Sequence, residues 1–285
     1  MLHGLFHTLA DADPRWMWLA GLGFVLALVG SAGGWRSAVA LLGGRTTLLD
    51  ATARYGAGSL TNTFVPAHAG DAVRIGLFSR LLPHGHRVRA TTTAFAAVGA
   101  ARCTVLAGLV GAGAAVGAVP LWPLAVLGGI AVAALVAARL MRHRLPDPRD
   151  VPRLLGWLTL STVARLLAAA ATCSALGVHD PLAAAIIVLP ALELAGLFPI
   201  TPGNIGVTTG TVALALRGRG VPFHDGLAAG IAFHAAETAV GLLVGTLSVL
   251  YLGPGRRPLL RRVALTASAA AIAAAFSATV LVPLV

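Results

Sequence analysis

The sequence predicts an all-α fold, a bundle of helices that crosses a membrane several times. Three observations support this prediction: 57% of the 285 residues are apolar, only 11% are charged, and long runs with almost no charge recur along the chain. A soluble domain carries roughly a quarter charged residues, so the composition excludes a soluble enzyme, a fibrous protein and a disordered chain. Because no long polar linker divides the sequence, residues 1–285 are expected to form a single integral membrane domain.

The first half of the chain contains three expected spans and one interrupted segment. A span needs about 20 mostly apolar residues. Residues 16–35 are uncharged, 90–117 contain only Arg102 as a charge, and 120–138 are uncharged and set off by prolines. Residues 55–70 are apolar but are broken by Asn62, Pro66 and Gly70.

The second half has the same composition of segments. Residues 154–178 contain Arg165 as their only charge, 226–252 contain only His234 and Glu237 as histidine or acidic residues, and 263–284 are uncharged. Residues 182–216 are interrupted by proline and glycine. Backbone groups freed by such breaks are tolerated in hydrocarbon only where protein or water covers them. We therefore expect both interrupted segments to be re-entrant hairpins or unwound helices; two ordinary kinked helices, giving eight spans, are the alternative.

The order of segments suggests an inverted repeat. Residues 16–139 and residues 154–282 both consist of a span, an interrupted segment and two further spans. The first half starts outside and the second inside, so the halves have opposite orientations. Matching interrupted segments in two such halves indicate a transport site near the midplane of the membrane. Little residue identity relates the halves, so a coincidence of hydropathy is the alternative.

Arginine positions predict the orientation. All 21 basic residues are arginine, and the net charge is +11. If both interrupted segments are hairpins, sixteen arginines fall on one side and only Arg15, Arg217 and Arg219 on the other. Basic residues are in excess in cytoplasmic loops, so the chain is expected in the cell membrane with both termini outside and anionic phospholipid on its basic loops. A nucleic-acid partner is excluded, since no polar domain could carry such a site.

Four charged residues lie within apolar segments, where an unpaired charge is costly. Arg102, Arg165 and Glu237 are mid-span, and Glu193 lies in the second interrupted segment. We expect all four to face the bundle interior, with Arg102 approaching Glu237 through the repeat. Structural ion pairs, Arg102–Glu237 or Arg165–Glu193, fit the sequence as well as a substrate-binding role does.

The two breaks carry the other candidate residues. Asp71 suits the first turn of a helix, and Arg74 follows on the same face as a mobile cation at the cytoplasmic mouth. At the second break, a half-helix that starts inside the membrane would direct its positive end at a phosphate; simple capping and kinking are the alternatives. The candidate binding set is Asn62, Pro66, Asp71, Arg74, Arg102, Arg165, Glu193, Thr201, Pro202, Gly203, Asn204, Gly206, His234 and Glu237.

The motifs at the breaks resemble those of a known family. The first motif is an Asn and a Pro followed by Gly-acid-x-x-Arg, and its residues here are Asn62, Pro66, Gly70, Asp71 and Arg74. The second motif is Pro-x-Thr-Pro-Gly-x-x-Gly-Val, followed about a dozen residues later by Gly-Val. Its residues here are Pro199, Thr201, Pro202, Gly203, Gly206, Val207, Gly220 and Val221. In order and spacing, nearly the whole chain is similar to the lysylphosphatidylglycerol synthase transmembrane family, also called flippase-like. The resemblance implies a helical membrane domain that moves a lipid or lipid-linked head group between leaflets. The chain departs from the family pattern at Ala101, Thr209 and His234, where members usually have an acid, a Glu and an Arg.

The sequence therefore predicts a transporter-like protein that translocates an anionic lipid, such as a phospholipid or a polyprenyl phosphate. The three arginines of the candidate set would screen the phosphate, and its three carboxylates would balance them. Two alternatives stay open: a membrane-embedded glycosyl or aminoacyl transferase, and its non-catalytic partner subunit. No catalytic, cofactor or metal motif is visible, so neither a cofactor nor a metal is expected. The expected partners are membrane lipids, with either a second copy of this chain or a synthase or glycosyltransferase.

Cysteine substitutions at positions 3, 150 and 259 test the orientation. We expect external labelling at position 3 alone, because the arginine distribution assigns positions 150 and 259 to the cytoplasm. A membrane-impermeant thiol reagent applied to intact and to lysed cells measures this. Exclusive labelling from outside at position 150 or 259 would contradict the orientation.

Overall fold

The computed structural model describes residues 8–65, 69–82, 87–115, 151–195 and 205–253, with a few single residues between 125 and 136. These segments are almost entirely helical and contain no strand, which confirms the all-helical class. In chain order the helices around the site are α1 (Pro14–Leu41), α2 (Leu48–Phe64), α3 (Ala69–Ser79), α4 (Arg87–Ala115), α5 (Val151–Ala175), α6 (Pro181–Ala195), α7 (Ile205–Arg217) and α8 (Phe223–Leu252).

Four of these helices, α1, α4, α5 and α8, are long and apolar enough to cross a membrane, and α6 is a shorter apolar helix. The chain is therefore a multi-pass membrane protein. These four helices correspond to four of the six expected spans. The other two, 120–138 and 263–284, lie outside the described residues, apart from the few single residues in the first.

Each interrupted segment consists of two helices. Helix α2 ends at Phe64 and α3 begins at Ala69, whereas α6 ends at Ala195 and α7 begins at Ile205. The connections themselves, residues 66–68 and 196–204, lie outside the described part of the chain. The end of α2 is described: Val65 is extended, as the residue before a proline prefers.

Helices α2 and α3 form an antiparallel hairpin. Asn62 contacts Gly70 next to the break, and Arg54, two turns earlier in α2, contacts the carbonyl of Leu77 near the end of α3. Contacts that run in opposite directions along two successive helices require the chain to reverse between them. The first interrupted segment therefore folds back on itself.

The start of α2 differs from the expected boundary at Tyr55. The helix begins at Leu48, because the Thr47 hydroxyl accepts a hydrogen bond from the Asp50 amide at 3.2 Å and so caps the first turn. The Asp50 carboxylate in turn accepts two hydrogen bonds from Arg54, one turn later. The two charges that separated this stretch from the apolar segment in the sequence are thus an i, i+4 pair on the helix.

Helices α1 and α5 make the most extensive helix contact in the described bundle. Glycines of α1 lie directly against α5: a Cβ atom built on Gly30 would be 2.8 Å from the backbone nitrogen of Ser161, and one on Gly23 would be 2.9 Å from the Cβ of Ala168. Between helices in lipid, small residues permit close approach, and van der Waals contact then provides the association energy. The sequence of α1 therefore determines how closely this central pair packs.

The helix contacts of the two halves correspond to one another. When α1–α4 are matched in order to α5–α8, the α1–α2 contact corresponds to α5–α6, α2–α3 to α6–α7, α3–α4 to α7–α8, and α2–α8 to α6–α4. The α1–α5 contact is its own counterpart. A pseudo-twofold axis through the α1–α5 contact would produce this pattern.

Replacing Gly30 with leucine should destabilise the bundle by about 1–3 kcal/mol, because the new side chain would overlap the backbone of α5. Gly21 lies in the same helix and has no atom within 4 Å of a built Cβ, so Gly21→Leu is the matched control. Thermal unfolding in detergent, followed by circular dichroism, measures the difference. Equal unfolding temperatures for the two variants would contradict the close packing of α1 on α5.

Candidate functional site

A cavity of about 240 Å³ lies between helices α1, α2, α3, α4, α5 and α8. Its wall is unusually polar for a bundle of apolar helices. The polar residues that line it are Ser31, Tyr55, Ser59, Asn62, Thr63, Arg74, Arg102, Ser161, Arg165, His234, Glu237 and Thr238. Ionisable residues inside a membrane bundle mark a wet cavity or a ligand path. We therefore treat this cavity as the candidate site.

Many of the candidate residues converge on this cavity. Six line it: Asn62, Arg74, Arg102, Arg165, His234 and Glu237. Asp71 and Glu193 are bonded to lining arginines. Gly206, in the first turn of α7, is exposed and is not among the lining residues. The other candidates lie outside the described residues: Pro66, Thr201, Pro202, Gly203 and Asn204.

Arg165 joins three helices through two carboxylates. One terminal nitrogen donates to Glu193 of α6 at 2.5 Å, and the other donates to Glu237 of α8 at 2.7 Å. The Arg165–Glu193 pair allowed by the sequence is therefore present. The expected approach of Glu237 to Arg102 is wrong as a direct ion pair, because the planar guanidinium of Arg165 holds both carboxylates at once. The buried Nε atom of Arg165 has no hydrogen-bond partner among the described residues.

The hydrogen-bond partners of Arg102 in the described structure are neutral hydroxyls, those of Ser31 and Tyr55. One of its terminal nitrogens donates to the Ser31 hydroxyl at 3.2 Å. The Ser31 and Ser161 hydroxyls lie 2.8 Å apart, and Ser161 donates its proton to the Ala27 carbonyl at 2.7 Å. Ser31 is therefore the donor in the hydrogen bond between the two serines. Glu193 is the acid with the strongest electrostatic interaction with Arg102, yet no described carboxylate lies within 4 Å of its guanidinium.

Arg74 fastens the α2–α3 hairpin. Its guanidinium donates to Asp71 at 2.5 Å and to the Ser59 hydroxyl at 2.9 Å, and it lies over the Tyr55 ring at 4.1 Å from the centroid. The residue is only 9% exposed. The expectation of a mobile cation at a cytoplasmic mouth is therefore wrong: ion pairing, hydrogen bonding and the aromatic face hold this side chain in place.

The first motif has a structural explanation in the same hairpin. The Asn62 side-chain oxygen accepts a hydrogen bond from the Gly70 amide at 2.6 Å, which satisfies a free donor in the first turn of α3 across the break. A Cβ atom on Gly70 would overlap the carbonyl oxygen of Gly58 and the Asn62 side chain. Only glycine permits this approach without displacement of α2.

His234 and several hydroxyl groups complete the wall. The His234 Nε2 atom lies 3.2 Å from the Thr238 hydroxyl, one turn along α8. Ser31, Ser161 and Tyr55 were not among the sequence candidates. Hydroxyl groups that bond across two membrane helices are known to stabilise such contacts. The only sequence signal for Ser31 was its position beside glycines in an otherwise apolar span.

The sequence of the chain matches a known protein family. Residues 2–245 match the family model described as the lysylphosphatidylglycerol synthase TM region. The match contains α1 to α7 and most of α8, and so contains every residue that lines the cavity. No curated protein matches the chain.

Replacing Arg165 with glutamine should destabilise the bundle by about 3 kcal/mol, because two partly buried carboxylates would lose their shared cation. Arg102→Gln is the matched control: it removes an arginine from the same cavity but no ion pair in the described structure, so its effect should be smaller. Thermal unfolding in detergent compares the two.

A charge-neutral variant tests the cause of this loss. Combining Arg165→Gln with Glu193→Gln and Glu237→Gln removes the unpaired carboxylates together with the cation. Most of the lost stability should return. If the triple variant is no more stable than Arg165→Gln alone, the ion-pair explanation is wrong.

Proposed function

Because the chain belongs to the lysylphosphatidylglycerol synthase transmembrane family, we propose that it moves the phosphate-bearing head group of an anionic lipid between leaflets through this cavity. The observation that carries the proposal is the state of Arg102: a cation inside the bundle, on the cavity wall, with only neutral hydroxyls as hydrogen-bond partners in the described structure. An arginine in an apolar environment is strongly favoured to acquire an anionic partner. A phosphate oxygen is a strong acceptor for a guanidinium.

The other lining groups suit a phosphate as well. The Ser31 hydroxyl is bonded to Arg102, and Arg165 lines the same cavity. Tyr55 and Asn62 add neutral polar atoms to the wall. A head group needs such a polar route, while acyl or polyprenyl chains can remain in the surrounding hydrocarbon. Phospholipids and polyprenyl phosphates share this chemistry, and both fall within the proposal.

Charge balance suggests how the head group engages the site. The three arginines of the wall face three carboxylates, Asp71, Glu193 and Glu237, so an entering phosphate competes with a carboxylate for a cation. Glu237 is the more accessible partner of Arg165: its side chain is 36% exposed, against 16% for Glu193. We infer that the phosphate binds Arg102 first and then displaces Glu237 from Arg165. Displacement would release the ionic link between α5 and α8 and so couple binding to movement of α8.

The two-half arrangement supports transport over simple binding. The correspondence of helix contacts favours an inverted repeat of residues 16–139 and 154–282 around the α1–α5 contact. Substrates of such transporters bind between the halves near the midplane. The hydrogen bond between Ser31 and Ser161 joins the two halves at the cavity wall, which is consistent with a site between them. The proposed location is the cell membrane, with the arginine-rich side in the cytoplasm.

Arg102→Gln should lower the rate of lipid translocation by at least about tenfold, since charge-assisted hydrogen bonds contribute roughly 1.5–3 kcal/mol. Purified protein in vesicles that contain a fluorescent phosphatidylglycerol, with a membrane-impermeant quencher outside, gives the leaflet exchange rate. Arg219→Gln, at an exposed position in the turn after α7, is the control for loss of charge and should retain the wild-type rate.

The same samples show whether the Arg102 variant is folded. Its unfolding temperature should fall less than that of Arg165→Gln, because Arg102 attracts Glu193 electrostatically but has no carboxylate within 4 Å in the described structure. A folded, inserted Arg102→Gln protein that translocates lipid at the full rate would contradict the proposed function.

A further inference from the structure

A second pocket, of about 270 Å³, lies at the end of the bundle where α1 ends and α5 begins. No residue lines both this pocket and the central cavity. Three arginines from three different parts of the chain converge here: Arg36 from the last turns of α1, Arg45 from the connection between α1 and α2, and Arg153 from the first turn of α5. We propose that this pocket, the basic pocket, is a second binding site for a phosphate group.

The arginines of the basic pocket are largely uncommitted. Arg36 uses its Nε to bind the Thr46 carbonyl at 3.0 Å, which holds the α1–α2 connection against the end of α1. Its terminal nitrogens have no hydrogen-bond partner among the described residues, and neither do the side chains of Arg45 and Arg153. Three cations that face one pocket repel one another. An anion bound between them would relieve this repulsion and accept several charge-assisted hydrogen bonds.

The nearest described acid does not neutralise the pocket. The Asp50 carboxylate accepts a hydrogen bond from the Thr46 hydroxyl at 2.6 Å, so it lies close to the pocket wall. Both its oxygens are also bound by Arg54, which is not a lining residue. The lining residues themselves include no carboxylate within the described chain. Within the described chain, no lining carboxylate therefore offsets the charge of the three arginines.

A hydroxyl group on the wall of the basic pocket adds a polar contact for a ligand. Ser37 lines the basic pocket and is 4% exposed, but its hydroxyl has no hydrogen-bond partner among the described residues. Other buried hydroxyls in these helices bond the carbonyl four residues earlier, as Thr172 does at 2.9 Å and Thr246 at 2.7 Å. The Ser37 hydroxyl makes no such bond and so can bond to a ligand or to water in the basic pocket. Ser37 is placed to donate to the same phosphate as the arginines.

The ligand class follows from these groups. Arg153 lies in the first turn of α5, where the helix dipole adds partial positive charge. Three guanidiniums, a free hydroxyl and a helix start together favour a tetrahedral oxyanion over a carboxylate. Basic pockets at the ends of membrane helices bind phospholipid head groups, and a free phosphate presents the same chemistry. This inference does not rest on translocation through the central cavity.

Isothermal titration calorimetry on the full chain in an uncharged detergent tests the proposal. The probes are inorganic phosphate, dihexanoyl-phosphatidylglycerol, and dihexanoylglycerol as the matched compound without a phosphate. The double variant Arg45→Gln/Arg153→Gln should raise the Kd of the phosphate-bearing probes about tenfold, and Ser37→Ala should raise it about threefold. Arg217→Gln/Arg219→Gln removes two exposed arginines elsewhere and should leave the Kd within about twofold.

Each titration is repeated in an Arg102→Gln background, which weakens any signal from the central cavity. Binding that persists there and depends on Arg45 and Arg153 supports the basic pocket even if the proposed translocation fails. Arginine-dependent binding of the lipid alone identifies a head-group site, whereas equal dependence for inorganic phosphate identifies a general phosphate site. The proposal is overturned if Arg45→Gln/Arg153→Gln and the control Arg217→Gln/Arg219→Gln bind both phosphate probes with equal Kd. It is also overturned if the binding of dihexanoylglycerol depends on Arg45 and Arg153 to the same extent.

Discussion

A charge inside an apolar bundle must have a partner, and the double ion pair of Arg165 is where this constraint acts most strongly. Its guanidinium holds Glu193 and Glu237 and so ties α5 to both α6 and α8. Both acids are hydrogen-bonded to this one arginine, whereas the neighbouring Arg102 is hydrogen-bonded to neutral hydroxyls and interacts with Glu193 only electrostatically in the described structure. The cavity and its available cation are therefore consequences of how the ion pairs are distributed, as much as of helix packing.

The arginines of the cavity have different physical roles although the sequence presents them alike. Arg74 is fixed by an acid, a hydroxyl and an aromatic face within one hairpin, and it maintains the shape of the wall. Arg165 connects helices. Among these three cavity arginines, only Arg102 has no carboxylate within 4 Å in the described part of the chain. Structural and ligand-binding cations can thus be separated only once their partners are known.

Sequence reasoning located the site better than it described it. Charges within apolar runs are rare enough to mark Arg102, Arg165, Glu193 and Glu237, and all four meet in or beside one cavity. The pairing of Glu237 was wrong, because hydropathy gives the depth of a residue in the membrane but not the direction it faces around the helix axis. The hydroxyls of the wall were missed for a related reason: serine and threonine are common in membrane helices, and only the neighbouring helix shows which of them matter. The all-helical class and four spans followed from composition alone.

The contact between α1 and α5 also limits how the bundle can move. The ring of Trp157 on α5 occupies the space left by the missing side chain of Gly33, and Ser161 lies in the same way on Gly30. A slide of one helical turn would carry Trp157 from Gly33 onto Val29 or Ser37, where side chains already fill the groove. The interlocked glycines and side chains of this extensive contact therefore oppose sliding of the two helices along their axes. Rocking about a fixed central pair, and not translation of α1 along α5, is the motion that this packing permits.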